Sequence, residues 1–268
     1  MPLVPLHPIR RRSQDDFHQL DYKVMAVAFE IQNDLGRIYD EVVYKRELGY
    51  RLAKAGIEVA REFAIRAQHA DFERSFFIDL LVDQGVVYEA KTAATLNDAH
   101  RSQVLNYLFL TDTQHGKLVN FRPVKVEHEF VSTQLTLAAR RDIQFVDHDW
   151  LRVNSESLRL RELVAGLLTD WGAFLSLEAY RDALIHFFGG TAEVCRETEL
   201  ILAGRVVGAH RVNVIAPDTI LALSAISYDL DGMRQQLLKL LRLTRYSYLQ
   251  WVNIHSQTIR LTTLALSL

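Results

Sequence analysis

The stretch from Phe76 to Lys91 constrains the chain more than any other. Two apolar runs, Phe76–Val82 and Val86–Ala90, flank the short polar segment Asp83-Gln84-Gly85. Apolar runs around a Gly-containing loop read as a β-hairpin, with Gly85 expected at a left-handed position. If Val82 pairs with Val86, Asp79 lies across from Glu89, and opposed residues share a face with Cβ atoms roughly 4.5–5.5 Å apart. Lys91 is two residues beyond Glu89, so strand alternation returns it to that face. Two carboxylates and an ammonium group would then converge on an otherwise apolar hairpin. A solvated salt-bridge cluster is the competing reading. Ile78, Leu80, Leu81, Val82, Val86 and Val87 instead predict strands covered on both faces. Like charges pressed together there need a cation to be tolerable.

Composition narrows the context. The chain has 268 residues, 49% hydrophobic and 24% charged, which suits a folded protein of one large domain or two ordinary ones. One cysteine, Cys195, excludes an internal disulfide framework and fits a reducing, cytoplasmic setting. Ten histidines show no H-x-x-H or H-E-x-x-H spacing, so no zinc site is expected. The order of residues in Met1–Arg12 does not fit a signal peptide, and no run approaches the ~20 apolar residues of a membrane span. Net charge is −2, so any nucleic-acid-binding surface has to be local. Residues 1–20 read as a solvated arm carrying Arg10-Arg11-Arg12.

Helical periodicity over residues 22–54 breaks at Leu35-Gly36, giving two helices, the second holding Tyr39, Glu41, Tyr44 and Leu48. Strands are predicted near 57–67, 75–82 and 86–91, a helix from Leu96 to Leu110, and a strand over Lys117–Phe121. The second half repeats this plan. Leu35-Gly36 through Tyr44 matches Trp171-Gly172 through Tyr180, and Val119-Asn120-Phe121 matches Val252-Asn253-Ile254, at offsets falling from 136 to 133 residues. In that copy Asn213 falls at the place of Asp79, Leu223-Ser224-Ala225 replaces Glu89-Ala90-Lys91, and Leu177 replaces Glu41. The expectation is one active lobe and one that has lost its chemistry.

Glu41 and Tyr44 are three apart and share a helix face. A third carboxylate from Glu41 would complete an oxygen-rich shell suited to Mg²⁺. On the later helix His100, Gln103 and Tyr107 form one polar stripe beside Val104, Leu105 and Leu108, which suits a backbone-binding groove or a solvated face.

Asp79, Glu89-x-Lys91 and Gln103-x-x-x-Tyr107, in that order, resemble the signature of PD-(D/E)xK nucleases, in the branch whose following helix carries Q-x-x-x-Y. The helix from Leu35 to Tyr44 is similar to the start of the small GxxExxY proteins, a subgroup of that superfamily. Ile38 stands where that motif has its first Gly, while Glu41 and Tyr44 match. The resemblance covers about residues 20–130. It implies that Asp79 and Glu89 bind a divalent metal, Mg²⁺ or Mn²⁺, with the Ala90 carbonyl as a further ligand and Glu41 binding directly or through water. Lys91 would position or deprotonate the attacking water. Gln103 and Tyr107 would orient the substrate backbone or the lysine, and hydrolysis would leave a 5′-phosphate; Tyr44 and His100 are further candidates for substrate binding.

The expected fold class is therefore α/β, with tandem restriction-endonuclease-like lobes, each a mixed central sheet flanked by helices. The arm would span 1–20, the intact lobe 21–148 and the degenerate repeat 149–268. The expected partner is nucleic acid, DNA ahead of RNA, with no membrane. The chain would form an intramolecular pseudo-dimer and have the option of a homodimer. A non-catalytic nucleic-acid- or protein-binding assembly factor on the same fold is the alternative.

Overall fold

The computed structural model describes residues 2–5 and 7–266. It divides into two compact units, Met1–Gln68 with Arg74–Leu137, and Ala138–Leu268 with His69–Glu73. Each contains one six-stranded mixed sheet flanked by helices.

The first unit runs β1 (Leu3–Pro5), α1 (Gln14–Leu35), α2 (Glu41–Lys54), β2 (Val59–His69), β3 (Phe72–Val82), β4 (Val86–Lys91), α3 (Asp98–Thr111), β5 (His115–Asn120) and β6 (Glu127–Ser132), with the strands in sequential order across the sheet. Helix α1 starts eight residues before the expected position because Ser13 and Asp16 form a reciprocal capping box. It buries Phe17, Val24, Met25, Ala28 and Ile31, and α2 buries Tyr44, Leu48 and Leu52. These stripes pack on Leu80, Val82, Val86, Tyr88, Ala90, Val119 and Phe121. The opposite sheet face carries α3, where Val104 lies against Val87 and Gly116. Strands β4 and β5, parallel and joined through α3, are buried along their whole length.

The N-terminal arm differs from the expected solvated tail. Strand β1 pairs antiparallel with β2. The Arg10 N–H donates to the Gln84 carbonyl, and Arg12 pairs with the Asp83 carboxylate at 2.5 Å. This docking also corrects the reading of the hairpin loop. Asp83 and Gln84 take the positive φ values, 49° and 59°, and Gly85 does not. Gly85 is needed for space: a Cβ there would lie 2.0 Å from the Arg10 carbonyl oxygen.

The second unit runs α4 (Leu137–Arg140), β7 (Gln144–Asp149), α5 (Ser155–Trp171), α6 (Leu177–Phe187), α7 (Thr191–Val194), β8 (Cys195–Leu202), β9 (Arg205–Ala216), β10 (Thr219–Ser224), α8 (Leu230–Leu243), β11 (Tyr248–His255) and β12 (Thr258–Ala265). Its sheet order is β7-β12-β11-β10-β9-β8. Strand β7 pairs with β12, so the unit boundary falls at Leu137/Ala138 and not at the expected 148/149.

Two local devices occur in both units. The Tyr44 hydroxyl donates to the Gly36 carbonyl at 2.9 Å and accepts from the Tyr39 N–H; the Tyr180 hydroxyl donates to the Gly172 carbonyl at 2.6 Å and accepts from the Leu175 N–H. Asn120 bonds both backbone groups of Ala93, and Asn253 bonds both of Ile226. Strands β10 and β11 are parallel, as β4 and β5 are, with Ser224 opposite Asn253 where Lys91 is opposite Asn120. The sequence-based alignment is thereby corrected by one residue. Ala222 stands at the place of Glu89, Leu223 at that of Ala90, and Ser224 at that of Lys91. A bulge between Thr219 and Ile220 puts Asn213 opposite Leu221, the counterpart of Tyr88, so Asn213 occupies the place of Leu80 and not that of Asp79.

Tyr44 is fully buried and stacks on Phe121 at 4.7 Å, which makes it a turn-locking core residue; this corrects its expected substrate-binding role. Tyr44→Phe and Tyr180→Phe should each lower stability by about 1 kcal/mol through lost hydrogen bonds, a shift readable as a lower urea midpoint for the unit concerned.

Candidate active site

The hairpin register is as expected where the ladder is formed: Val82 faces Val86, Leu81 faces Val87 and Leu80 faces Tyr88. The ladder then stops. Its next hydrogen bond is donated by the Ala90 N–H to Asp79 Oδ2 at 3.1 Å, so a carboxylate replaces a backbone carbonyl where β3 and β4 part. Tyr88 and Ala90 point into the α1/α2 core, and alternation sends Glu89 and Lys91 to the α3 face. Asp79, Glu89 and Lys91 are all buried, Glu89 with only 2% exposure.

Lys91 Nζ donates to Glu89 Oε1 at 2.7 Å and lies 3.7 Å from Glu41 Oε1. Glu89 Oε2 is buried with no hydrogen-bond partner. Burial first, then the neighbouring Asp79 charge, push the Glu89 carboxyl up to about 7, against the opposing pull of Lys91. Burial also raises Glu41, with Lys91 acting in the other direction.

Sequence reasoning missed Lys45. It sits one helical turn after Glu41, the i,i+4 spacing that brings two side chains to one face, and this was the available signal. Its Nζ donates to Asp79 Oδ1 at 2.8 Å and lies 3.5 Å from Glu62 Oε1. Burial opposes its charge, yet the hydrogen bond and charge of Asp79 outweigh this and raise its pKa.

From α3, Gln103 donates to the Tyr107 hydroxyl at 3.0 Å. The Tyr107 phenol is pushed up to about 12, mainly by burial and then by the Glu89 charge. His100 Nδ1 accepts the Asn97 N–H within the capping box that starts α3.

Among the described residues no three His, Cys, Asp or Glu side chains converge as an ion-holding cluster. The expected three-carboxylate shell is thus not assembled, and Glu41 joins the site through Lys91. Asp79 and Glu89 are two buried carboxylates, and one Glu89 oxygen has no partner. Hard oxygen donors of this kind fit Mg²⁺ or Mn²⁺, which keep several water ligands.

Residues 18–132 match the family model of the PD-(D/E)XK nuclease superfamily. That supports a superfamily domain over the segment holding Asp79, Glu89, Lys91, Gln103 and Tyr107. No curated protein and no solved structure matches the chain. Among the described residues no helix is long and apolar enough to cross a membrane.

Between about pH 4.5 and 7 the folded protein holds a proton on Glu89 that the unfolded chain has released, so raising the pH through this window lowers stability. Urea titrations in EDTA should show wild type losing stability across the window relative to Glu89→Gln. Parallel pH profiles for the two proteins would count against a displaced Glu89.

Proposed function

We propose that the first unit is a metal-dependent nuclease that hydrolyses phosphodiester bonds, with DNA as the expected substrate. The observation that carries this reading is the buried Asp79–Glu89–Lys91 group with its unpaired Glu89 oxygen, inside the segment that matches the superfamily. Asp79 and Glu89, with the Ala90 carbonyl, would hold Mg²⁺ or Mn²⁺, and Glu41 would reach it through water. When bound, the metal lowers the pKa of the attacking water and neutralises charge on the phosphate.

The chain's own groups supply the rest. Lys91 Nζ, steered by Glu89 and Glu41, orients the water and donates to a phosphate oxygen as negative charge accumulates. The Ala90 N–H fixes the Asp79 carboxylate, and Lys45 keeps its other oxygen neutralised until the substrate arrives. Gln103 holds the Tyr107 hydroxyl on the α3 wall, where it can contact the sugar-phosphate backbone. A purely assembling protein would gain nothing from burying Glu89 with one oxygen unpaired, a feature that costs stability.

The second unit reads as a duplicated lobe without chemistry. The recurrent tyrosine lock and asparagine clasp support common descent. Ala222 and Ser224 at the places of Glu89 and Lys91, with Leu177 at that of Glu41, leave no acid or ammonium group at these positions. A single active lobe nicks one strand per encounter unless two chains pair. The likeness of the first unit to the GxxExxY subgroup rests on Glu41 and Tyr44.

Labelled single-stranded and duplex DNA and RNA incubated with Mg²⁺ or Mn²⁺ provide the test. Cleavage should fall by about 100-fold or more in Lys91→Ala and Asp79→Asn, both checked for folding by circular dichroism. Ser224→Ala should cut like wild type. Absence of cleavage on every substrate, with no calorimetric metal binding, would remove the nuclease reading.

A further inference from the structure

Beside Asp79, reached through Lys45, the first unit has an open cleft of about 490 Å³ lined by Lys45, Arg46, Val59, Arg61 and Glu62. Three of these five residues are cationic, in a chain whose net charge is −2. Lys45 is shared with the site, since its ammonium group bonds Asp79. Among the described residues neither the Arg46 nor the Arg61 side chain has a hydrogen-bond or ion-pair partner, a state shared with other exposed arginines such as Arg37, Arg152 and Arg211, but here the two stand in one cleft beside the carboxylates. Arg51, Arg101, Arg159, Arg161 and Arg196, by contrast, are each tied to carboxylates.

The backbone is shaped to present these groups. Arg61 and Glu62 are neighbours on β2, and a regular strand would send them to opposite faces. Glu62 instead has φ +48°, a conformation that L-residues other than Asn or Asp adopt rarely and at a cost. Both side chains consequently line one cleft. On α2, Gly49 leaves room for the Arg61 stem: a Cβ there would lie 2.7 Å from Arg61 Cδ. A bulkier residue at 49 would push the guanidinium away from the cleft. Two independent local features therefore hold one arginine in place without giving it a protein partner.

We propose that this cleft binds a backbone phosphate of the nucleic-acid strand next to the one being cut, engaged by Arg46 and Arg61, with Lys45 bridging the cleft and the reactive centre. The proposal rests on the nuclease reading of that centre. Guanidinium forks suit phosphate oxygens, and an open, polar cleft suits a chain that passes through more than a small ligand that is enclosed. Lys45 has Glu62 within 3.5 Å as a second acceptor, so it can leave Asp79 without losing all compensation.

The test is fluorescence anisotropy with a labelled 12-to-20-nucleotide single strand in EDTA, where nothing is cut (about the length that spans several phosphate contacts). The Arg46→Ala/Arg61→Ala double variant should bind about tenfold more weakly, and its salt dependence should flatten by about 0.7 in log–log slope, the change for one lost phosphate contact on a single strand. A charge-matched control, Arg159→Ala/Arg196→Ala, should bind within about twofold of wild type, because those arginines are already paired. Unchanged binding and slope in the cleft variant, in a wild type that cuts with Mg²⁺, would overturn the cleft while leaving the nuclease. Lost binding in the cleft variant of a wild type that never cuts would keep the cleft and remove the nuclease. A mononucleotide that displaces the strand at equal phosphate concentration would identify a small phosphorylated ligand and overturn the proposal, as would a wild type that binds no strand at all.

Discussion

Strands β3 and β4 stop pairing after Leu80 and Tyr88, and the hydrogen bond that follows runs from the Ala90 N–H to the Asp79 carboxylate. A side chain there does the work of a backbone carbonyl, so the strands separate without leaving a buried amide unpaired. This substitution fixes where Asp79 lies relative to β4. Because β4 is buried along its length, Glu89 then enters an environment that penalises its charge. The two ammonium groups that balance the pair come from different elements: Lys91 from the same strand and Lys45 from α2. Moving either element would leave a carboxylate uncompensated, which ties the placement of α2 to the electrostatics of the hairpin.

The placement of α2 is secured separately. The Tyr44 hydroxyl closes the turn from Gly36 to Tyr39, and Arg122 adds bonds to the Arg37, Tyr39 and Thr92 carbonyls. Asn120 clasps Ala93 just after β4. The tyrosine lock and asparagine clasp recur in the second unit, where no acids or ammonium groups stand at the corresponding strand positions. They therefore belong to the scaffold and do not depend on the charged group of the first unit. At the place of Glu89 the second unit has Ala222, a residue that carries no charge to be compensated. Its neighbours are accordingly free of any need for counter-ions.

The hairpin was legible because strand alternation is a rigid rule: Glu89 and Lys91 had to share a face, and apolar flanks announced burial. Asp79 was expected directly across from Glu89, but the pairing ends one residue earlier and its carboxylate is held by the Ala90 N–H. The loop was misread because glycine serves two purposes, and only the docked Arg10 carbonyl shows that Gly85 supplies space and not a positive φ. Tyr44 was misplaced for a related reason. Spacing of three from Glu41 predicts a common helix face, but Glu41 lies in the first turn, at the edge of the core, while Tyr44 sits above Phe121 inside it. The one-residue slip in the second unit arose because the apolar run Ile220–Leu223 has no polar residue to fix its alignment with Tyr88–Lys91, which only the pairing of Ser224 with Asn253 supplies. Strands β1 and β6 went unnoticed since three residues of Leu3–Pro5, or the polar Glu127–Ser132, carry little pattern until a partner strand is present.

Net charge was a poor guide to the electrostatics of this chain. A value of −2 sums groups that mostly cancel in pairs on the surface, where each pair contributes little. The arrangement around one place is more informative than the sum. Asp79, Glu89 and Glu41 face Lys91 and Lys45, while Arg46 and Arg61 stand unpaired a short way along α2 and β2. Acidic groups that can hold a cation thus sit next to cationic groups that can hold anions. A metal between carboxylates and a phosphate beside guanidinium groups are complementary demands, and a phosphodiester chain approached by a divalent ion is a ligand that meets both. The strained Glu62 and the small Gly49 fit this arrangement: the first turns neighbouring side chains of β2 to one cleft, and the second makes room for the Arg61 stem while letting α2 approach Leu80.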